Sequence, residues 1–301
     1  MEPRDLPDAA ESAAGQRSAT TSGARRPTCL TAPAAPAVLF LLAFAALYLF
    51  AVWTPIGQSA ENALVVGYAD QARIFEWSQS VGPPPLTAEY ATFGAGIALI
   101  AVVTLVRRCR REGCAAVGVA VVTIAATEAL NMFVLPRPDL VNAPSNLTEA
   151  SFPSGHVAIA AGLALGAVLV ASPRARPYVA AAGALWLAVT AAAVQALYWH
   201  RPSDALGATL LACAAYTIAT RLLPPAEPGV APTTAPAVTP RRRALPALAL
   251  VPAAVGALMA GSRMDAVARP LVFAGAAFVC AVLLWATATE RIGRPAPRLR
   301  R

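Results

Sequence analysis

Eight apolar runs, each near the roughly 20 residues that span a bilayer, constrain this chain more than any other feature. They cover Ala37 to Trp53, Ala88 to Val106, Cys114 to Leu135, His156 to Ala171, Tyr178 to Tyr198, Ser203 to Leu223, Leu245 to Ala260 and Pro270 to Ala288. With 57% of residues hydrophobic and 13% charged, the composition lies outside the range of soluble domains and makes lipid the solvent. A segment in lipid must satisfy its own backbone hydrogen bonds, so runs of this length are helices. The expected fold class is all-α: a polytopic membrane helix bundle with a six-helix core and two extra C-terminal transmembrane helices.

Charge sets the expected orientation. All 24 basic residues are arginine, which together with abundant alanine suggests a GC-rich bacterial genome, such as an actinobacterial one. The net charge of +8 does not point to nucleic acid, because the arginines fall in short clusters between apolar runs, as in loops facing anionic lipid headgroups. Arg17, Arg25 and Arg26 precede the first run, and Arg107, Arg108, Arg110 and Arg111 join the second and third. Arg174 and Arg176 join the fourth and fifth, Arg221 and Arg241 to Arg243 the sixth and seventh, and Arg291 to Arg301 close the chain. Arginine-rich loops face the cytoplasm, so both termini are expected inside an inner or plasma membrane, with loops 54–87, 136–155, 199–202 and 261–269 outside.

The composition further divides the chain. Residues 1–33 lack apolar periodicity and read as a disordered cytoplasmic tail; 34–223 form the six-helix body. Residues 224–244 are a Pro/Ala/Thr linker with an arginine run, 245–289 a two-helix transmembrane appendage, and 290–301 a basic cytoplasmic tail. Five cysteines imply no disulfide framework. Cys109 and Cys114 lack nearby histidines that would complete a metal site.

The chain has only two histidines, His156 and His200, and both fall at outer ends of predicted helices on the same side as Arg137. Ser151-Phe152-Pro153-Ser154-Gly155-His156 opens the fourth helix, where unpaired N–H groups and the helix dipole favour an anion. Ser154 adds a hydroxyl, Gly155 permits close backbone approach, and His156 is placed to protonate a departing oxygen. Trp199-His200-Arg201-Pro202-Ser203-Asp204 opens the sixth. His200 and Asp204 are four apart and meet over one turn, so the carboxylate can orient the imidazole as a nucleophile. Leu135-Pro136-Arg137-Pro138-Asp139 ends the third and presents a guanidinium suited to bidentate phosphate binding. Each piece alone has an ordinary explanation as a capped helix or an interfacial side chain; their convergence on one side does not.

Taken together, the three pieces resemble the type 2 phosphatidic acid phosphatase family, membrane relatives of the vanadium haloperoxidases, over roughly residues 90 to 222. Arg137-Pro138 matches the family's first motif, Pro153 to His156 the second, and His200 with Asp204 the end of the third. The resemblance implies that His200 attacks phosphorus to give a phosphohistidine, that Asp204 orients it, and that His156 protonates the leaving group. It implies phosphate binding by Arg137, Ser154 and Gly155, and neither cofactor nor metal. The expected partners are a lipid phosphate or polyprenyl diphosphate substrate and the surrounding membrane lipids. The family's first-motif lysine falls near Asn131 and its third-motif arginine near Val194, so two cations are unmatched. Charge-assisted hydrogen bonds contribute about 1.5–3 kcal/mol each, so their loss weakens phosphate binding by orders of magnitude unless Arg201 supplies a charge. A family member that binds lipid phosphate or a partner protein without turnover is the alternative. Glu128 is expected as a buried intramembrane acid.

Overall fold

A computed structural model describes residues 35–65, 84–223 and 268–290. The expected N-terminal tail, the linker, the run Leu245 to Ala260 and the C-terminal tail after Glu290 lie outside the described residues. Among those residues the chain is all-helical, with eight α-helices and no strand. They are α1 (Ala35–Trp53), α2 (Pro55–Val65), α3 (Glu89–Arg107), α4 (Arg110–Ala129), α5 (Gly155–Val170), α6 (Arg176–Ala196), α7 (Pro202–Leu222) and α8 (Ala268–Glu290). Six spans are long and apolar enough to cross a membrane, α4 counting with its π-helical extension, while α5 is a shorter apolar helix. This is a multi-pass membrane protein.

The described helices follow the apolar runs closely, with two departures. α4 begins at Arg110 rather than Cys114, because a polar first turn can extend beyond the hydrocarbon and still complete backbone hydrogen bonds. The expected outer loop 54–87 contains α2. Thr54 caps it, its Oγ1 accepting from Gly57 N–H at 3.0 Å, and Pro55 at the first helical position has no N–H to leave unpaired.

α5 sits at the centre. Thirteen of its sixteen residues are buried, as expected of a helix apolar on every face, and it packs on α3, α4, α6 and α7. Lipid tails are as apolar as the side chains, so close packing of small residues holds such helices together; here alanines such as Ala116, Ala120, Ala160, Ala184 and Ala188 are fully buried. α1 packs on α7, and α8 packs chiefly on α6 and α7.

The two ends of the bundle differ in chemistry. Arg107 donates through Nη1 to the Val170 carbonyl at the end of α5, and Arg176 Nε donates to Ala171 O at 3.2 Å. The arginines of 107–111 and 174–176 therefore gather at the end of α5 opposite Gly155. At Gly155's end, α4 finishes in a π-helical segment, Leu130–Val134, before Pro136 and Pro138, which cannot continue a helix.

Candidate active site

Two helix N-termini form the site, and each is capped by its own sequence. Ser154 is the N-cap of α5: its Oγ accepts from Val157 N–H at 3.5 Å, and its side chain is fully buried. Arg201 is the N-cap of α7, and Asp204 Oδ2 accepts its backbone N–H at 2.8 Å, the reciprocal half of a capping box. A further bond from Ser154 N to Asp204 O at 3.0 Å joins the two starts. The Phe152 ring packs against Phe44 and Tyr48 of α1 at 5.1 and 5.4 Å between centroids. It also lies so close to α7 that a Cβ on Gly207 would come within 2.6 Å of it; only glycine leaves that space.

This stitching brings His156 and His200 together, with ring centroids 5.9 Å apart. His200 Nδ1 lies 3.4 Å from Asp204 Oδ2, near enough to pair with it once the imidazole carries charge, though the alignment falls short of a hydrogen bond. Asp204 is wholly buried. The imidazole therefore shows the carboxylate one nitrogen and keeps the other away from it. His156 also packs against the Trp199 ring at 5.5 Å, and its Nε2 stands 4.0 Å from Glu89 Oε2. A cavity of about 570 Å3 opens beside His200 and Trp199, lined also by Asn131, Glu149, Ser151 and Arg201.

Arg137 and Arg201 converge on one acceptor. Asn62 Oδ1 receives Arg137 Nη2 at 3.2 Å and Arg201 Nη2 at 3.3 Å. Arg201, only 5% exposed, also donates to Ser151 Oγ at 2.6 Å and to Leu147 O at 2.7 Å. Its Nε, like Nη1 of Arg137, is buried with no hydrogen-bond partner among the described residues. Burial, and then the charge of Arg201, hold Arg137 below the usual arginine value. Beside them Glu61 Oε1 accepts from Ser203 N–H at 3.1 Å. Burial pushes the Glu61 carboxyl up from 4.5 to about 7; Asp204 adds to the rise, while Ser203 and Arg201 oppose it.

Residues 111–227 match the model of the PAP2 superfamily. The chain carries a PAP2 superfamily domain. No curated protein and no solved structure matches the chain. The PAP2 domain contains Arg137, Ser154, Gly155, His156, His200, Arg201 and Asp204 but excludes α1, α2, α3 and α8. The superfamily points to phosphatase chemistry on phosphate esters and to a membrane setting.

Several residues sit differently from what the sequence suggests. Glu128 is exposed rather than buried; its Oε1 would lie 2.8 Å from a Cβ on Gly155, and Glu89 Oε1 3.4 Å from it. The open side of Gly155 thus faces both carboxyl groups. Asn131 Nδ2 donates to Pro153 O at 3.2 Å, and Val194 is fully buried while its carbonyl accepts from Trp199 and His200 N–H. Glu61, Asn62 and Glu89 escape the sequence reading. Thr54-Pro55 does signal a helix start, but nothing local marks the polar face of α2 as part of this site.

Proposed function

We propose that the PAP2 domain removes phosphate from a membrane lipid phosphate or diphosphate, such as a polyprenyl carrier or a glycerophospholipid, at the outer face of the membrane. The observation that carries this reading is the meeting of an Asp204-paired His200, His156 and two guanidiniums at one end of a spanning bundle. His200 Nε2 attacks phosphorus, forming an N–P bond as the P–O bond to the lipid breaks. His156 gives its proton to the leaving oxygen. Water then attacks the phosphohistidine, His156 takes a proton from it, and phosphate leaves with His200 restored. Asp204 stabilises the charge that His200 acquires, while Arg137, Arg201 and the N–H groups at the start of α5 hold the phosphoryl oxygens. The arginines gathered at the opposite end favour a cytoplasmic position for that end, and therefore an outward site.

Asn131 and Val194, uncharged where the family carries cations, favour a second reading: phosphate binding without turnover. The deciding experiment measures phosphate release by the detergent-purified protein from phosphatidate, phosphatidylglycerophosphate and undecaprenyl diphosphate. Release from at least one of these, absent in His200→Ala, is the expected result. No release from any of them, by a protein that still binds orthovanadate, replaces the first reading with the second.

A further inference from the structure

α2 lies outside the PAP2 match, yet its buried face is polar: Gln58, Glu61 and Asn62 are all buried, and they lie on one side because residues three and four apart share a helix face. Each grips a loop of the site. Gln58 Nε2 donates to Val52 O at 2.7 Å and to Pro138 O at 2.5 Å, while its Oε1 accepts from Leu140 N–H at 3.1 Å. Together with Tyr48 Oη donating to Pro136 O at 2.6 Å, these bonds fasten the Arg137 loop to the α1–α2 elbow. Glu61 holds the Ser203 N–H at the start of α7. Asn62 stands between the two loops and contacts both arginines.

One amide oxygen has two lone pairs, and Asn62 Oδ1 gives one to each guanidinium. The two Nη2 atoms therefore cannot be farther apart than the sum of their distances to that oxygen. Like charges this close repel, more so when buried, and so need a shared acceptor to remain side by side. A carboxylate in this position would also hold them, but it would neutralise one charge. The neutral amide holds them without doing so, and among the described residues neither arginine forms an ion pair with a carboxylate. Arg137 Nη1 and Arg201 Nε, both buried and unpartnered, are left for an oxyanion.

We infer that Asn62 is a positioning residue that clamps Arg137 and Arg201 into one phosphate-binding fork, so that α2, from outside the PAP2 domain, aligns the two cations that the domain does carry. This rests on the phosphate-site reading above and adds to it a residue that touches no substrate. The fork is doubly charged, so its preferred ligand is a dianionic phosphoryl group rather than a singly charged diester.

The test uses the full chain in detergent, with orthovanadate and inorganic phosphate as probes, read by calorimetric affinity and by thermal stabilisation. Asn62→Asp keeps an oxygen able to accept from both arginines but adds a negative charge. It is expected to unfold at the wild-type temperature or above while binding vanadate at least tenfold more weakly, a separation that a merely structural role does not produce. Wild-type vanadate affinity in Asn62→Asp overturns the inference. Should that variant fail to fold, Asn62→Ala decides the matter by affinity alone: tenfold weaker binding supports the clamp, and unchanged affinity overturns it. If the wild-type protein binds neither probe, the phosphate site and the clamp fall together; if it binds vanadate and the variants bind equally well, only the clamp falls.

Discussion

The histidine loops and the α1–α2 elbow meet at the same end of the bundle, but the chain builds them at different ranges. Around each histidine the contacts that build its own helix start are local, although the Ser154 N–Asp204 O bond that joins the two starts is not: His200 meets Asp204 four residues on, Asp204 caps Arg201 three residues back, and Ser154 caps its own helix. At the elbow they are distant: Asn62 reaches Arg201 across 139 positions, Tyr48 reaches Pro136 across 88, and Gln58 reaches Pro138 across 80. The groups that would make and break bonds are held by helix starts that short motifs can encode. The groups that would hold charge depend on a helix with no motif of its own.

The largest expected effect lies in the local half. His200→Ala should lower phosphate release by roughly 10^6-fold, as loss of the nucleophile of a catalytic triad does, whereas Asp204→Asn should cost roughly 10^4-fold and leave a measurable remainder because the nucleophile persists. A His200→Ala protein with the wild-type rate would move the chemistry elsewhere and end the contrast between the two halves.

A smaller and substrate-dependent effect is expected at His156. Proton donation contributes about 10^2–10^4-fold, but an activated aryl phosphate needs little of it and a lipid alkoxide needs much. His156→Ala should therefore slow lipid phosphate hydrolysis far more than aryl phosphate hydrolysis. Equal slowing on both would recast His156 as a ligand of the phosphate and join it to the charge-holding half.

The smallest effect belongs to the elbow and is read as stability. A carboxyl whose folded pKa is raised binds its proton more tightly in the folded protein. Glu61 therefore contributes its full stabilisation below its ordinary 4.5 and loses it as pH rises to about 7. Glu61→Gln keeps an acceptor for Ser203 N–H, so the wild-type melting temperature minus that of Glu61→Gln reads the Glu61 contribution apart from every other titrating group. That difference should fall across that window, by about 2–4 °C for each kcal/mol lost; a difference that does not change with pH would take this titration away from Glu61.

The sequence by itself determined the solvent and the helices. A helix that crosses lipid must be long, apolar and closed on its own hydrogen bonds, and each of these conditions is written locally, so α1, α3, α5, α6, α7 and α8 begin and end within a few residues of the apolar runs. The two histidine segments were legible for a similar reason, since Ser154 and Asp204 act on their own helix starts. Tertiary structure alone decided what surrounds them. Whether Glu128 is buried depends on which way α4 turns, and the π-helical segment at its end leaves no mark in hydropathy. Asn62 reads as one polar residue among others in Gln58-Ser59-Ala60-Glu61-Asn62. Its two partners lie 75 and 139 positions away, and only the packing of α1 against α7 and the fastening of the Arg137 loop to the elbow bring two like charges to one oxygen.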